Sequence, residues 1–448
     1  MQNCQPDRRK TAVADPKAYV HHCTCGQTHP NVDVEYYAGR DAAVAVADDL
    51  KKRLPQGSVL VLSDDNTHRA AGRTILAQLE RQQIGHERLK LPGNVSATDR
   101  VADQVRRKSV AHDLILAVGA GTINDLGKHA AGKQGRPYWA FPTAPSMNGY
   151  TSAIAAIKVD GVKRTLPAPP PRFIYIDPDV ISRAPLKLMQ SGYCDIMAKS
   201  VSDVDWQIES LLFSGSYCRL PSAIVAQAEA SYLDHPEDLG DGQTSAAMAL
   251  INGLLVSGAA MTLAGSSAPA SGGEHLFSHF LDMRESITGR IPEPHGLQVA
   301  AGIILSAACY RRLAKLDRSA LPSRGQEICQ EASETIPEIW KSIAVDVQQR
   351  FAMKRDSLLA LDRLLPKRWE AVQSLCREVR SPRYYARQMR RTGYPLTMAA
   401  LKLDAQEFML AAMHSRAIRE RITVLDIAAQ AGVLEEAATD ALAVLINA

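Results

Sequence analysis

The residues best equipped for chemistry are three histidines. Ser271-Gly272-Gly273-Glu274-His275-Leu276-Phe277-Ser278-His279 sets two of them four apart, so that on a helix both imidazoles share one face and can enter one cavity. The third, His295, follows Pro292-Glu293-Pro294 and precedes Gly296, a loop position from which it can fold back against that helix. Taken alone, two such histidines are as often capping or core residues as ligands. A catalytic divalent metal takes three protein ligands and keeps an open position for substrate. The remaining ligand would be a carboxylate, and Gly192-Tyr193-Cys194-Asp195-Ile196-Met197-Ala198-Lys199 offers Asp195, read as an acid at a helix beginning. A plainer reading of Asp195 is an N-cap, a role that contributes about 1 kcal/mol.

Two further segments could hold a charged cofactor. Gly119-Ala120-Gly121-Thr122-Ile123-Asn124-Asp125-Leu126-Gly127-Lys128 follows a buried strand and opens a helix, where glycines admit a phosphate and the first N–H groups favour an anion. Its third glycine comes late for the usual dinucleotide fingerprint, so a tight strand-to-helix turn is the competing reading. Phe141-Pro142-Thr143-Ala144-Pro145-Ser146-Met147-Asn148-Gly149-Tyr150-Thr151-Ser152 gathers hydroxyls and an amide at the end of another strand, where open α/β sheets bind ligands.

The elements that must position these groups change character along the chain. Val59–Leu62, Leu114–Val118 and Trp139–Phe141 are short buried strands, the first followed by a helix from about Arg69 to Gln82, which is the pattern of a parallel sheet covered by helices. Asp160-Gly161, between Ile154–Val159 and Arg164–Leu166, is a favourable hairpin turn, and Phe173–Ile176 supplies another strand. Beyond Asp179 the sequence is Ala- and Leu-rich at helical spacing, with Arg377–Arg391 reading as a solvated or partner-facing helix. The expected organisation is an extension over 1–35, an α/β domain over 36–180 and an all-helical domain over 181–448.

With 448 residues, 52 Lys+Arg and 48 Asp+Glu, the chain has a formal charge of only +4 and no basic stripe with interleaved aromatics, which argues against nucleic acid as a partner. No apolar run reads as long enough to span a bilayer, and the polar start Met1-Gln2-Asn3-Cys4 has no signal-like segment behind it, so a cytoplasmic enzyme without membrane insertion is expected. The eight cysteines are scattered, and no structural disulfide is expected. His21-His22-Cys23-Thr24-Cys25-Gly26-Gln27-Thr28-His29 is the one cluster that invites a metal reading. No second Cys pair follows, so a surface loop or short strand is the better reading.

Taken together, Gly119–Asp125, Pro142–Ser152, Asp195-Ile196 with Lys199, Pro269–His275 and His295-Gly296 resemble the sn-glycerol-1-phosphate dehydrogenases. That family lies within the group of iron-containing alcohol dehydrogenases, glycerol dehydrogenases and dehydroquinate synthases. The resemblance runs from about residue 20 to residue 436 and includes Cys-Thr-Cys-Gly and Arg419–Glu435, which look like the bacterial branch.

The resemblance implies a dinucleotide-binding α/β domain, a helical metal domain and a site in the cleft between them. It implies reversible reduction of dihydroxyacetone phosphate to sn-glycerol 1-phosphate by NADH or NADPH, a step of phospholipid biosynthesis. By position, Asp195, His275 and His295 would hold one divalent metal per chain, zinc or nickel with iron a further candidate. His279, with Asn148 and Asp195, would contact substrate. Asp64, Gly119, Ala120, Gly121, Thr122, Ile123, Thr143, Ser146 and Ser152 would contact the cofactor. A homodimer or higher homo-oligomer is implied as well.

Two positions depart from the family: Asn148 stands where Asp is common, and Ala268 where Arg is common. An amide keeps hydrogen-bonding capacity, whereas a methyl cannot replace a guanidinium fork matched to phosphate, so that duty would pass to Lys163, Arg164 or Lys199. Another small hydroxyketone is therefore an alternative substrate, and a dehydroquinate-synthase-like cyclase or a catalytically lapsed binding protein are alternative functions. Asp64 favours NAD by contacting a free ribose hydroxyl, while Arg69 could accept the phosphate of NADP.

Overall fold

The computed structural model describes residues 23–446. The chain divides into two compact units: the described residues up to Val159 with Arg164–Gly192 and Ala223–Gly265, and Asp160–Lys163 with Tyr193–Ser222 and the residues from Ser266 onward. The chain therefore passes between units several times, whereas the sequence reading separates an α/β domain over 36–180 from a helical domain over 181–448.

The first unit is built on a six-stranded sheet in which every pairing is parallel. Its strands are β1 (Glu35–Ala38), β2 (Ser58–Asp64), β3 (Gly85–Leu91), β4 (Leu114–Gly119), β5 (Tyr138–Pro142) and β8 (Phe173–Ile176), in the order β1-β8-β5-β4-β2-β3. Every residue of β4, β5 and β8 is buried, which is why they read as unbroken apolar runs: helices cover both faces of a parallel sheet. The two edge strands, β1 and β3, are absent from the sequence reading. β3 carries Glu87, Arg88 and Lys90, and its Glu87 pairs with Lys108 and its Lys90 with Asp65, so this edge is blunted by charge. The strands β6 (Ile154–Val159) and β7 (Val162–Pro167) form the expected hairpin, with Asp160 and Gly161 both at positive φ, +50° and +83°.

The sheet brings the two cofactor loops together. Because β4 and β5 are parallel neighbours with Gly119 opposite Pro142, both loops leave the same edge side by side, and Thr143 N–H donates to the Gly119 carbonyl at 3.3 Å. The strand order reverses at β2, whose end carries Asp64, giving the crevice at which open α/β sheets bind ligands.

One helix corrects the expectation about apolar runs. Thr244–Ala264 spans 21 residues and is long and apolar enough to cross a bilayer by length and composition. Its apolar window is 78 % buried within the protein, so it serves as a core helix.

The second unit is helical. Its catalytically interesting elements are the end of the helix Leu186–Met197 and the helices Gly273–Thr288 and His295–Leu313. The two latter helices cross closely because a side chain at Gly302 would run into the Glu274 backbone. Lys354, on the long helix Ala344–Glu378, is fully buried against Asp426 at 2.7 Å and donates to the Arg416 carbonyl at 2.8 Å. The stretch read as one helix over 377–391 is broken at Val379-Arg380-Ser381, where Ser381 caps a second helix, Pro382–Arg391.

Candidate active site

Two of the three proposed ligands arise from elements other than those expected. Asp195 lies in the last turn of Leu186–Met197, not at a helix beginning. His295 is the first residue of its helix, with Pro294 before it, rather than a loop residue. His275 and His279 share one helix face, as the spacing requires.

These elements bring one oxygen and two nitrogens together. Asp195 Oδ1 lies 3.3 Å from His275 Nε2 and 3.9 Å from His295 Nε2, and one donor atom from each of the three residues lies within 4.8 Å of the others. Tetrahedral coordination with bonds of about 2.0–2.1 Å gives donor–donor edges of about 3.3 Å, so a small contraction would close this set around an ion.

The ring nitrogens facing away are committed in a way that frees the correct atoms. His275 Nδ1 lies 2.8 Å from Glu274 Oε1, which also accepts the Gly272 N–H at 2.7 Å, so Nδ1 carries the proton and Nε2 presents its lone pair. His295 Nδ1 lies 2.9 Å from Ser278 Oγ, whose hydroxyl donates to Gln298 Oε1 at 3.2 Å, leaving His295 Nε2 as acceptor too. Gln298 in turn donates to Asp282 Oδ1 at 2.9 Å, and Lys163 pairs with the other oxygen of Asp282. Neither Glu274 nor Ser278 was singled out from the sequence, although each neighbours a marked histidine by one position or one helical turn.

The electrostatics favour a cation here. Burial opposes a charged His275, but the hydrogen bonds and charges of Asp195 and Glu274 outweigh it and hold its pKa at about 9. A divalent ion would take the place of that proton. His295 is pushed down to about 3, chiefly by burial and then by Lys163. His279 is driven well below its ordinary value by burial and by Arg419, so it is neutral. Arg419 Nη2 donates to His279 Nδ1 at 3.2 Å, which leaves the proton of the neutral ring on Nε2. Arg419 itself is half-buried, its pKa lowered to about 10 by desolvation and by Arg350 against the opposing charge of Glu420.

In the first unit, the first N–H groups of the helix Gly121–Gln134 precede its first internal bond, Asn124 N to Ala120 O at 3.0 Å. Its glycines have structural reasons. A side chain at Gly119 would strike Ile123, one at Gly121 would meet Met147 at 2.9 Å, and one at Gly127 would meet Ala117 at 3.0 Å. They let the helix close onto the sheet and onto the neighbouring loop.

That loop is held from beneath by Lys128. Its buried ammonium donates to the carbonyls of Gly149, Ser152 and Ile154 at 2.5, 2.9 and 2.9 Å. Ser152 Oγ is fully buried and donates to the Gly149 carbonyl at 2.9 Å, so the hydroxyl expected at the cofactor is turned inward and holds the loop. Thr143, Ser146 and Asn148 are also buried. Asp64 caps the next helical turn, accepting from Asn66 N at 2.8 Å and Thr67 N at 2.7 Å, and Arg69 donates to Asn66 Oδ1 at 2.5 Å.

Comparison with known proteins gives these features a family. The iron-containing alcohol dehydrogenase family matches residues 38–185. The glycerol-1-phosphate dehydrogenase [NAD(P)+] of Bacillus subtilis (strain 168) is 35 % identical over 314 residues, covering 68 % of this chain and 78 % of that protein. The chain belongs to the glycerol-1-phosphate dehydrogenase family. Another glycerol-1-phosphate dehydrogenase [NAD(P)+], from Bacillus licheniformis, is 27 % identical over 419 residues, 92 % of this chain and 93 % of its own length. Among solved structures, glycerol dehydrogenase from Schizosaccharomyces pombe shares the fold with a TM-score of 0.57 at 19 % identity, covering 92 % of this chain and 91 % of that one. Maleylacetate reductase from Agrobacterium tumefaciens does so with a TM-score of 0.60 at 15 % identity, over 94 % and 98 %. As a glycerol-1-phosphate dehydrogenase family member, the chain is an oxidoreductase.

Proposed function

We propose that this chain reversibly reduces dihydroxyacetone phosphate to sn-glycerol 1-phosphate with NADH or NADPH, using a metal centre held by Asp195, His275 and His295. The observation that carries this reading is the convergence of those three donors, each imidazole turned by an outer partner so that Nε2 faces Asp195. A divalent ion bound there, zinc or nickel by the chemistry of one carboxylate and two imidazoles, would polarise the ketone oxygen and stabilise developing alkoxide charge.

The chain's own residues do the rest. His279, neutral with its proton on Nε2, donates a hydrogen bond to a substrate oxygen; the depressed basicity favours this over a proton relay. Arg419 takes the phosphate duty that Ala268 cannot. Lys163 pairs with Asp282, and the half-buried Arg419 guanidinium stands beside His279, with Arg350 contributing positive charge. A phosphate would relieve that crowding.

In the first unit, the helix start at Gly121–Ile123 would take the pyrophosphate, with Thr143 and Ser146 beside it. The enzyme would work in the cytoplasm as a homo-oligomer. Purified protein, dihydroxyacetone phosphate and NADH or NADPH, with added zinc or nickel, tests the reading. Loss of cofactor absorbance with formation of the sn-1 enantiomer is expected. No oxidation of either cofactor with any metal would overturn it.

A further inference from the structure

We infer that Cys23, Cys25 and His29 form a second metal site, structural in purpose and suited to zinc, that fastens the beginning of the described chain to the core helix Thr244–Ala264. The sequence reading set this cluster aside for want of a second cysteine pair. The structure brings its His29 against both thiols, while His21 and His22 lie outside the described residues. His29 Nε2 lies 3.2 Å from Cys23 Sγ and 3.3 Å from Cys25 Sγ, and the three donor atoms lie within 4.8 Å of one another. A tetrahedral zinc with Zn–S of about 2.3 Å and Zn–N of about 2.0–2.1 Å has N···S edges of about 3.5 Å, close to both distances.

Three features distinguish this from a chance meeting of polar groups. First, His29 Nδ1 lies 2.9 Å from the Leu263 carbonyl, in the last turn of the core helix, so Nδ1 carries the proton and Nε2 offers its lone pair to the sulfurs. Second, two sulfurs stand at nearly the same distance, 3.2 and 3.3 Å, from that one lone pair, the arrangement that a shared ion imposes. Third, the chain turns at Gly26, at a φ of +75°, and the Gln27 N–H points at Cys25 Sγ at 3.4 Å, a donor placed to stabilise a thiolate.

Binding would displace one proton from each thiol, leaving two thiolates and a neutral imidazole around the ion. Three donors are one short of the usual structural set, and the fourth position would go to a further thiolate or to water. The site is chemically unlike the Asp195, His275 and His295 set, which contains no sulfur, so the two can be read separately.

Cobalt(II) substitution of the full chain tests this, because only a thiolate site gives a near-ultraviolet sulfur-to-cobalt charge-transfer band. The band is expected in the wild type and in His275→Ala, and should be lost in Cys23→Ser/Cys25→Ser. Its intensity reports how many thiolates bind. Zinc content should fall by one ion per chain in the double cysteine variant, and a single His29→Gln variant should bind that zinc at least ~10-fold more weakly, the usual scale for losing a supporting contact or more. Absence of the band from wild-type protein would overturn the proposal, as would a band or zinc content unchanged by the double substitution.

Discussion

Glu274 Oε1 stands 2.8 Å from Nδ1 of the adjacent His275, and through that bond the carboxylate decides which imidazole nitrogen faces Asp195. Outer carboxylates of this kind raise the basicity of a metal-bound imidazole and fix its orientation. Glu274→Gln keeps the shape but removes the charge. It should weaken metal affinity about 10–100-fold, measured by competition with a chelator. Unchanged affinity would remove Glu274 from the metal's support.

Arg419 should matter more for a phosphorylated substrate than for its unphosphorylated counterpart. A hydrogen bond to a charged group contributes about 1.5–3 kcal/mol, so Arg419→Met should lower the kcat/KM ratio of dihydroxyacetone phosphate to dihydroxyacetone by about 10–100-fold. Because Arg419 also holds the tautomer of His279, both substrates should slow; the ratio isolates the phosphate. An unaltered ratio would assign the phosphate elsewhere.

Lys128 is the fastening of the loop after β5. Lys128→Met keeps the stem but leaves the buried carbonyl of Ser152 and the part-buried carbonyls of Gly149 and Ile154 without that donor. A loss of about 2–5 kcal/mol is expected in denaturant unfolding, with a raised KM for NADH or NADPH. Normal stability with a normal KM would show that the loop holds its form without the ammonium.

Acid should destabilise the fold partly through His414. Its pKa is lowered from 6.5 to about 4, mainly by burial and then by Arg416. The unfolded chain therefore takes up this proton before the folded one, so stability falls as pH drops from about 6.5 to about 4. The contribution is on the order of 2–3 kcal/mol. His414→Gln should flatten that part of the profile of unfolding free energy against pH; a slope as steep as the wild type's would discount this histidine.

The legible parts of the fold were those where burial dominates. β2, β4, β5 and β8 announce themselves as apolar runs because helices cover them on both sides, whereas β1 and β3 sit at the sheet's edges with partly exposed, polar residues. Asp195 was placed on the right segment but at the wrong end of its helix. Gly192 reads as the entry to a helix, yet it lies inside one, where glycine is needed because a side chain would strike the Pro145 carbonyl. Arg419 enters the sequence reading only as the start of a stretch that resembles the bacterial branch, with no role of its own, and only the fold brings its half-buried guanidinium beside His279, 140 residues earlier in the chain.

The place of β1 in the sheet bears on how the molecule is made. It lies at one end of the strand order and is paired with β8 alone, Glu35 opposite Phe173, while every other strand of the sheet lies between them in sequence. A ribosome therefore releases the first strand long before its neighbour exists. Until β8 emerges, the segment must remain unpaired or be shielded, so the slow step in assembling the sheet is expected to be the pairing of β1 with β8.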